Sequence, residues 1–278
     1  MKFATLLTGE VVGLTKDGYR RVNRSSMIDL IETFRTGLTF SGPAIELPTE
    51  LAPPIAKPSK IWAAAGNYDR VNTQSPNDKS GRGQKTDLSK NDLLHTVFLK
   101  PPSAIIGAGD SIAIPAGAGG VFPEPELCVV IGKRCRNVSL VDAPSVIFGY
   151  SILVDVTSRN YGPGKSGKEM RCIRKGYDTF APFGPVIVTR DEIPHPDKVT
   201  MKMWINGELH QDSSTETMIN NCYELVSFLS KVCTLEPGDL ISTGTPDSPE
   251  FQRQLIAGDV VVSEIEGIGK MTLGIRNA

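Results

Sequence analysis

The chain contains few histidines and no paired cysteine motif, and both shortages restrict the chemistry available to it. Its 278 residues include only three histidines, His95, His195 and His210, and five cysteines. Because the cysteine count is odd and no Cys-x-x-Cys pair occurs, a disulfide framework and a cysteine zinc site are poor hypotheses. A nucleophilic cysteine would need a histidine nearby, so the scarcity of histidine argues against that chemistry too.

An excess of charge and a long hydrophobic run are also missing. The net charge is −1, with 22% charged and 40% apolar residues, and no basic tail is present, so we expect no binding to nucleic acid. No run approaches the roughly 20 apolar residues of a membrane-spanning helix. The start of the chain, Met1–Glu10, is charged too early for a secretory signal, and we therefore expect a cytoplasmic protein.

Short apolar runs broken by glycine and proline make up most of the chain and predict a mostly β (α+β) fold. Short helices are expected at the edge of the sheets, over Met27–Arg35, Asp142–Phe148 and Asn221–Lys231. The pair Asn206-Gly207 between two strand-like runs predicts a β-hairpin.

The chain divides at a proline-rich stretch, Pro48–Pro58, which is typical of a linker. We therefore predict a small N-terminal domain and linker over 1–58 and a larger domain over 59–278. Within the larger domain, the polar segment Gln74–Lys85 is either a lid over a binding site or a plain insertion.

Two acidic residues, Glu124 and Glu126, precede the strongly β-forming run Leu127–Ile131. Residues two apart on a strand point to the same face, so both carboxylates can reach one point in space. Two carboxylates held that close raise each other's pKa unless a cation neutralises them, and oxygen ligands suit Mg²⁺ or Mn²⁺. The alternative is a solvated strand end that carries two charges.

A third acid, Asp155, lies inside another apolar run that reads as a strand over Ser151–Arg159. A lone aspartate there is costly to bury unless it is paired or bound to a metal, so Asp155 is a candidate third ligand. Arg159 lies four residues on and faces the same side if the strand continues. It suits a substrate carboxylate, or it forms a salt bridge with one of the acids.

Two further segments carry polar groups that suit a site. Lys175 lies in a loop rich in glycine and proline and can exchange a proton at a carbon next to a carbonyl if a nearby metal lowers its pKa; the alternative is a surface lysine. The segment Thr243–Pro246 follows a strand-like run, and its backbone N–H groups and hydroxyls can hold a carboxylate, or it is an ordinary turn.

These motifs, in this order, resemble the fumarylacetoacetate hydrolase superfamily over roughly residues 60–278. The resemblance is carried by Gly66-Asn67-Tyr68, Phe98-Leu99-Lys100-Pro101-Pro102-Ser103, Glu124-x-Glu126-Leu127, Gly149-Tyr150, Asp155-Val156-Thr157-Ser158-Arg159, Lys175-Gly176-Tyr177-Asp178, Gly184-Pro185, Asn206-Gly207, Pro237-Gly238-Asp239 and Thr243-Gly244-Thr245-Pro246. It implies a mixed β-roll with short peripheral helices, a small N-terminal domain and a homodimer.

The resemblance also implies a site. Glu124, Glu126 and Asp155 would bind Mg²⁺ or Mn²⁺, with Ca²⁺ as an alternative. The substrate would be a small 2-oxo or β-dicarbonyl acid, on which Lys175 would be the catalytic residue. The same resemblance implies that substrate oxygens are held by Arg159, Thr245 and Tyr68.

One departure from the family pattern affects the expected reaction. Hydrolytic members carry a histidine three residues after the Asn-Tyr pair and a glutamate three residues further on, where this chain has Val71 and Gln74. Valine cannot take a proton from water, and Gln74 cannot orient a base as a carboxylate would; Asp69 and His95 are candidate substitutes. Family frequency favours a C–C bond hydrolase. The local residues favour an oxaloacetate-type decarboxylase or a keto–enol isomerase, and a binding protein without turnover is the remaining alternative.

Overall fold

Strands predominate in the protein and its helices are short, as the sequence predicts. The computed structural model describes residues 1–34, 36–68, 96–159, 171–246 and 253–278. The helices in these ranges are α1 Met27–Thr33, α2 Ala143–Val146, α3 Arg171–Arg174 and α4 Cys222–Val232, beside short 3-10 turns at Pro102–Ala104, Arg190–Glu192 and Thr215–Thr217. No helix in the described ranges is long and apolar enough to cross a membrane.

The described strands number eighteen. They are β1 Lys2–Thr5, β2 Val11–Thr15, β3 Gly18–Val22, β4 Phe40–Ile45, β5 Ile61–Ala64, β6 Val97–Lys100, β7 Ile105–Ile106, β8 Ser111–Ile114, β9 Gly120–Phe122, β10 Pro125–Ile131, β11 Ile147–Val154, β12 Thr157–Arg159, β13 Ala181–Thr189, β14 Thr200–Ile205, β15 Glu208–Ser214, β16 Leu240–Ser242, β17 Val260–Ile265 and β18 Gly269–Asn277.

A large sheet forms the centre of the fold. Its strand order is β4-β3-β2-β1-β13-β11-β10-β16-β5-β6, with β7 paired beside β13. Every residue of the central strands β10, β11 and β13 is buried. Their continuous apolar runs, such as Leu127–Ile131, are what a strand covered on both faces requires. Cys128 lies within this core with 0% exposure, as its apolar surroundings predict.

A second sheet packs against the first, in the order β15-β14-β17-β18-β8. Its first two strands form the predicted hairpin, and the turn residues Asn206 and Gly207 have φ of 54° and 84°. Positive φ at both positions is what a tight hairpin turn needs, which explains the Asn-Gly pair. The inward-facing residues of this sheet, including Met201 and Met203, join the main hydrophobic core.

The helices confirm the predicted positions, with shifted bounds. The N-cap of α1 is Ser26, whose side chain accepts from the Asp29 N–H, and α4 starts with a capping box made by Asn221 and Glu224. The helix predicted over Asp142–Phe148 covers only Ala143–Val146. Its last two residues begin β11 instead, because β-branched and aromatic residues pack well in a buried strand.

The first four strands extend the large sheet. β1 pairs with β13 in antiparallel register, with Phe3 opposite Ile187. Leu51 and Ile55, within the proline-rich stretch, are buried at 1% and 3% exposure, so this linker packs against the body of the protein. The domain boundary at residue 58 stays a prediction.

The antiparallel register of the central strands brings distant segments to one end of the sheet. Pro125 at the start of β10 lies opposite Val154 at the end of β11, and Cys128 lies opposite Ser242 at the end of β16. Residues that precede β10 therefore meet residues that follow β11 and β16. The candidate site is built at this end.

Candidate metal and active site

Glu126 is a buried predicted ligand that is held by hydrogen bonds from the segment at the end of β16. It lies near the start of β10 with 1% exposure. Its Oε2 accepts from the hydroxyl of Ser242 at 2.5 Å and from the backbone N–H of Gly244 at 2.7 Å. Gly244 has φ of +93°, and a Cβ there would lie 2.8 Å from the carbonyl of Ala64, so glycine lets this N–H approach the carboxylate.

Glu124 and Asp155 are joined through the backbone as well as through the site. The single strand predicted over Ser151–Arg159 is interrupted at Asp155-Val156, and this prediction was wrong in that detail. The Asp155 N–H donates to the carbonyl of Glu124 at 2.7 Å, and the Val156 N–H donates to the carbonyl of Phe180 at 3.1 Å. These bonds replace the regular ladder and turn Asp155, which is 1% exposed, toward the glutamates.

The three acids form one cluster. One carboxylate oxygen from each of Glu124, Glu126 and Asp155 lies within 4.8 Å of the others. Two of the acids are buried, and uncompensated buried carboxylates are costly. An all-oxygen donor set at this spacing fits a hard divalent cation such as Mg²⁺ or Mn²⁺, so the residues present suit the predicted metal.

Lys175 lies against this cluster and is not a surface lysine. Its side chain is 5% exposed, and its Nζ lies 2.6 Å from Glu124 Oε2 and 2.6 Å from Asp155 Oδ2. The residue follows α3 directly, and its N–H donates to the carbonyl of Arg171 at 3.1 Å. The ammonium therefore bridges two of the three predicted ligands and can reach a substrate bound beside them.

A second buried lysine, Lys100 at the end of β6, had no predicted role. Its side chain is 0% exposed, and its Nζ donates to Asp155 Oδ1 at 2.6 Å and to the backbone carbonyl of Lys175. The only sequence signal was its place in the motif that begins at Phe98, because an isolated lysine at the end of a short strand usually extends into solvent.

Arg159 forms the salt bridge that was one of the two alternatives for it, and its contact with a substrate carboxylate stays a prediction. Its guanidinium donates to Glu124 Oε1 at 3.1 Å and lies over the ring of Phe122, 4.6 Å from the centroid. Its side chain is 23% exposed, so the arginine forms the salt bridge with an acid while lying at the edge of the cluster. This placement suits a guanidinium that also contacts a substrate carboxylate.

Tyr68 and Thr245 lie near the cluster without hydrogen bonds to its acids in the described structure. The buried Tyr68 hydroxyl donates to the sulfur of Met201 at 3.9 Å, and burial raises its pKa. Thr245 Oγ1 accepts from the amide of Gln211 at 3.2 Å. Both residues adjoin the Thr243-Gly244 segment that supports Glu126, and their roles toward a substrate stay predictions.

The pKa values follow from burial and from the two lysines. Burial, followed by the charge of Asp155, raises the pKa of Glu126 well above its usual value. Burial also opposes ionisation of Asp155, yet the charges of Lys100 and Lys175 hold its pKa below the usual value.

The pKa values of the two lysines are also shifted in opposite directions. Burial lowers the pKa of the Lys100 ammonium more than Asp155 restores it. Burial also disfavours the Lys175 ammonium, but the charges of Asp155 and the two glutamates raise its pKa above the usual value. A bound divalent cation acts in the opposite direction on Lys175 and stabilises ionised Glu126.

The positions of the missing water-activating pair lie outside the described residues. Val71 and Gln74 belong to this part of the chain, as do the possible substitutes Asp69 and His95 and the polar segment Gln74–Lys85. The prediction that this pair is absent depends on the sequence alone.

The comparison with protein families agrees with this geometry. The model of the fumarylacetoacetate (FAA) hydrolase C-terminal family matches residues 60–276. The chain belongs to this family. The match spans the three acids of the cluster and the site residues around them, from Tyr68 to Thr245.

Individual relatives carry different activities in their names. The chain is 37% identical over 227 residues to a maleylpyruvate hydrolase of Aquipseudomonas alcaligenes, covering 82% of this chain and 76% of the relative. It is 35% identical over 221 residues to a mitochondrial oxaloacetate tautomerase of Bos taurus, covering 78% of this chain and 66% of the relative.

A solved structure shares the fold along the full length. It is a maleylpyruvate hydrolase from Sphingobium sp. SYK-6 in complex with manganese(II) and pyruvate, with a TM-score of 0.80, 29% identity and 100% coverage of both chains. The mostly β fold expected from the family resemblance is therefore confirmed.

Proposed function

We propose that this protein is a divalent-metal-dependent enzyme acting on small 2-oxo or β-dicarbonyl carboxylic acids, and that it hydrolyses a C–C bond in an acylpyruvate-type substrate. The observation that carries the proposal is the Lys175 ammonium, which lies 2.6 Å from two of three clustered carboxylates. Proton transfer at a carbon next to a carbonyl is assisted by a general acid or base and by a cation that stabilises the developing negative charge. Lys175 and a cation bound by the acid cluster provide these two groups.

Each residue has a separate part in this proposal. Glu124, Glu126 and Asp155 hold Mg²⁺ or Mn²⁺, with Ca²⁺ as an alternative. The bound ion supplies positive charge that stabilises negative charge developing on the substrate oxygens. Lys175 holds or delivers a proton at the carbon next to the carbonyl, and Arg159 holds a substrate carboxylate with its fork of N–H groups.

Hydrolysis is placed first because of the relatives. Two of the similar proteins are named maleylpyruvate hydrolases, and the solved one holds manganese and pyruvate. Pyruvate is a 2-oxo acid and is the product expected when the C–C bond of an acylpyruvate is hydrolysed. Hydrolysis also needs an activated water, and Val71 cannot serve as the base.

Keto–enol isomerisation is the second candidate, together with decarboxylation of an oxaloacetate-like acid. Both need the cation and at most a proton shuttle, so neither requires the pair that Val71 and Gln74 replace. Loss of a positioned general base commonly costs about 10²–10⁴ in rate. The similarity to an oxaloacetate tautomerase supports this candidate.

A binding protein without turnover is the remaining alternative. The described site argues against it, because two buried acids and two buried lysines are costly to keep in a cluster that has no use for them. Stabilisation by Mn²⁺ distinguishes the two cases, because a protein that has lost its metal site would show none.

The test is an NMR time course of the purified protein with Mg²⁺ or Mn²⁺ against metal-free controls. Acetylpyruvate, maleylpyruvate, oxaloacetate and a 2-hydroxydienoate are compared in parallel. Metal-dependent formation of pyruvate from the first two supports hydrolysis. Tautomer exchange or CO₂ release without such cleavage replaces it by the second candidate, and inactivity on all four with no binding of Mn²⁺ refutes the metal-dependent function.

The family resemblance also leads us to propose a homodimer. Light scattering of the eluted protein tests this directly: a mass near twice 30.0 kDa supports it, and a mass near 30.0 kDa refutes it.

A further inference from the structure

We infer that Lys100 is a positioning residue for the proposed metal site, because its one ammonium group fixes both a metal ligand and the backbone of the proposed catalytic lysine. The inference rests on the proposed function. It assigns a purpose to a buried cation that the chemistry described so far does not use.

Lys100 reaches the site from β6, the last strand in the order of the large sheet. Lys100 ends β6, where it lies opposite Ile61 of β5, and the chain turns away at Pro101. Its side chain is 0% exposed, although lysine is among the residues least often fully buried. A structure keeps such a group only where hydrogen bonds and charges compensate its burial.

The first compensating contact is to Asp155. The Lys100 ammonium donates to Asp155 Oδ1 at 2.6 Å, and Lys175 occupies Oδ2 at 2.6 Å. The two oxygens of this carboxylate are thus assigned to different partners. Because the two lysines hold different oxygens, the orientation of the carboxylate is restrained, and Oδ2 shares the Lys175 ammonium with Glu124.

The second contact is to the backbone of Lys175. The Lys100 ammonium also donates to the Lys175 carbonyl, immediately after α3 ends. The backbone from which the Lys175 side chain extends is therefore held by Lys100 Nζ, the same atom that orients Asp155. Displacing Lys100 would move the ligand and the proton-transfer group together.

A purely electrostatic role makes the opposite prediction for metal binding. If Lys100 only neutralised buried acids, Lys100→Met would remove a positive charge that repels an incoming divalent cation, and affinity would rise. If Lys100 positions Asp155, the same change releases the carboxylate and affinity falls. Loss of a group that orients a metal ligand typically costs 10–100-fold in affinity or activity.

The experiment compares Lys100→Met, Lys100→Arg and the matched control Lys60→Met. Lys60 pairs with the fully buried Asp239 at 2.5 Å, away from the acid cluster, so its loss removes a lysine–aspartate pair of similar kind. Manganese affinity is measured by isothermal titration calorimetry, and folding by circular dichroism and thermal unfolding.

We expect both Lys100 variants to bind Mn²⁺ about 10–100-fold more weakly while folded. Lys100→Arg keeps the charge, but its longer planar group cannot make both bonds in the same space. We expect Lys60→Met to lower the melting temperature and leave Mn²⁺ affinity within about twofold, because its partner is not a ligand.

Several outcomes would overturn the inference. Unchanged or tighter Mn²⁺ binding by Lys100→Met would mean that Lys100 only neutralises the buried acids. If Lys100→Met does not fold, wild-type Mn²⁺ affinity in Lys100→Arg would lead to the same conclusion. Failure of both variants to fold assigns Lys100 to the fold. Absence of Mn²⁺ binding by the wild type is a different result, since it removes the proposed function itself.

Discussion

Replacing Glu126 by glutamine should weaken the binding of the metal while leaving the metal-free protein as stable as before or more stable. Glu126 is 1% exposed, and one of its carboxylate oxygens lies within 4.8 Å of one oxygen from each of the other two acids. At that distance two unit charges repel by about 3 kcal/mol for an effective dielectric constant of about 20. Glu126→Gln keeps the shape and removes the charge, so the metal-free protein should be as stable as the wild type or more stable.

The metal-dependent stabilisation should behave in the other way. At a Mn²⁺ concentration of 100 Kd, binding stabilises the folded wild type by about 2.7 kcal/mol, which is roughly 5–10 °C in melting temperature for a chain of this size. If the loss of Glu126 weakens affinity 100-fold, the same concentration stabilises the variant by only about 0.4 kcal/mol, or roughly 1 °C.

Thermal unfolding with and without Mn²⁺ measures both quantities. The matched control is Glu264→Gln in β17, where the glutamate pairs with Lys270 at 3.7 Å on the surface, and it should leave both melting temperatures unchanged. A full Mn²⁺ shift in Glu126→Gln would remove Glu126 from the ligand set. A large loss of stability in the metal-free variant would refute the repulsion argument.

Three further changes test other parts of the molecule. Lys175→Met should keep the Mn²⁺ shift, because it removes a cation near the ion, and should lower turnover by about 10²–10⁴ in steady-state assays. Val71→His combined with Gln74→Glu should raise the rate of acetylpyruvate hydrolysis if the missing pair limits that reaction. The rate is measured from the release of pyruvate. Asp259→Asn should lower the free energy of unfolding by about 2 kcal/mol at pH 7, because hydrogen bonding with Arg253 holds the pKa of Asp259 at about 2. This contribution is complete above pH about 4 and is lost as the pH falls through about 2, so the difference from the wild type should narrow over that window in urea titrations.

Each of these changes has a control and a contrary outcome. Turnover that survives in Lys175→Met excludes that residue from proton transfer, and the exposed Lys270→Met should change nothing. The single variants at positions 71 and 74 accompany the double variant, and no gain in any of them places the base elsewhere. A difference for Asp259→Asn that persists unchanged at pH 2 would refute the linkage, with the surface substitution Asp212→Asn as comparison.

The sequence by itself determined the local features of this protein. The β-forming run after Glu126 became the buried strand β10, the Asn206-Gly207 pair became the hairpin turn, and Asn221 became the cap of α4. These features depend on side chains within a few residues of one another, whose preferences for strand, turn and cap are intrinsic. The order of the motifs also indicated the family, which the family match confirmed.

Only the tertiary structure decided what surrounds each charge. Lys100 and Lys175 are buried, and both contact Asp155, through hydrogen bonds between residues up to 75 positions apart in the sequence. The interruption of the strand at Asp155 follows from bonds to Glu124 and Phe180, which no local pattern contains. Whether a lysine is a solvated surface group or a buried part of a site depends on sheet register, and register is set by the packing of the whole sheet.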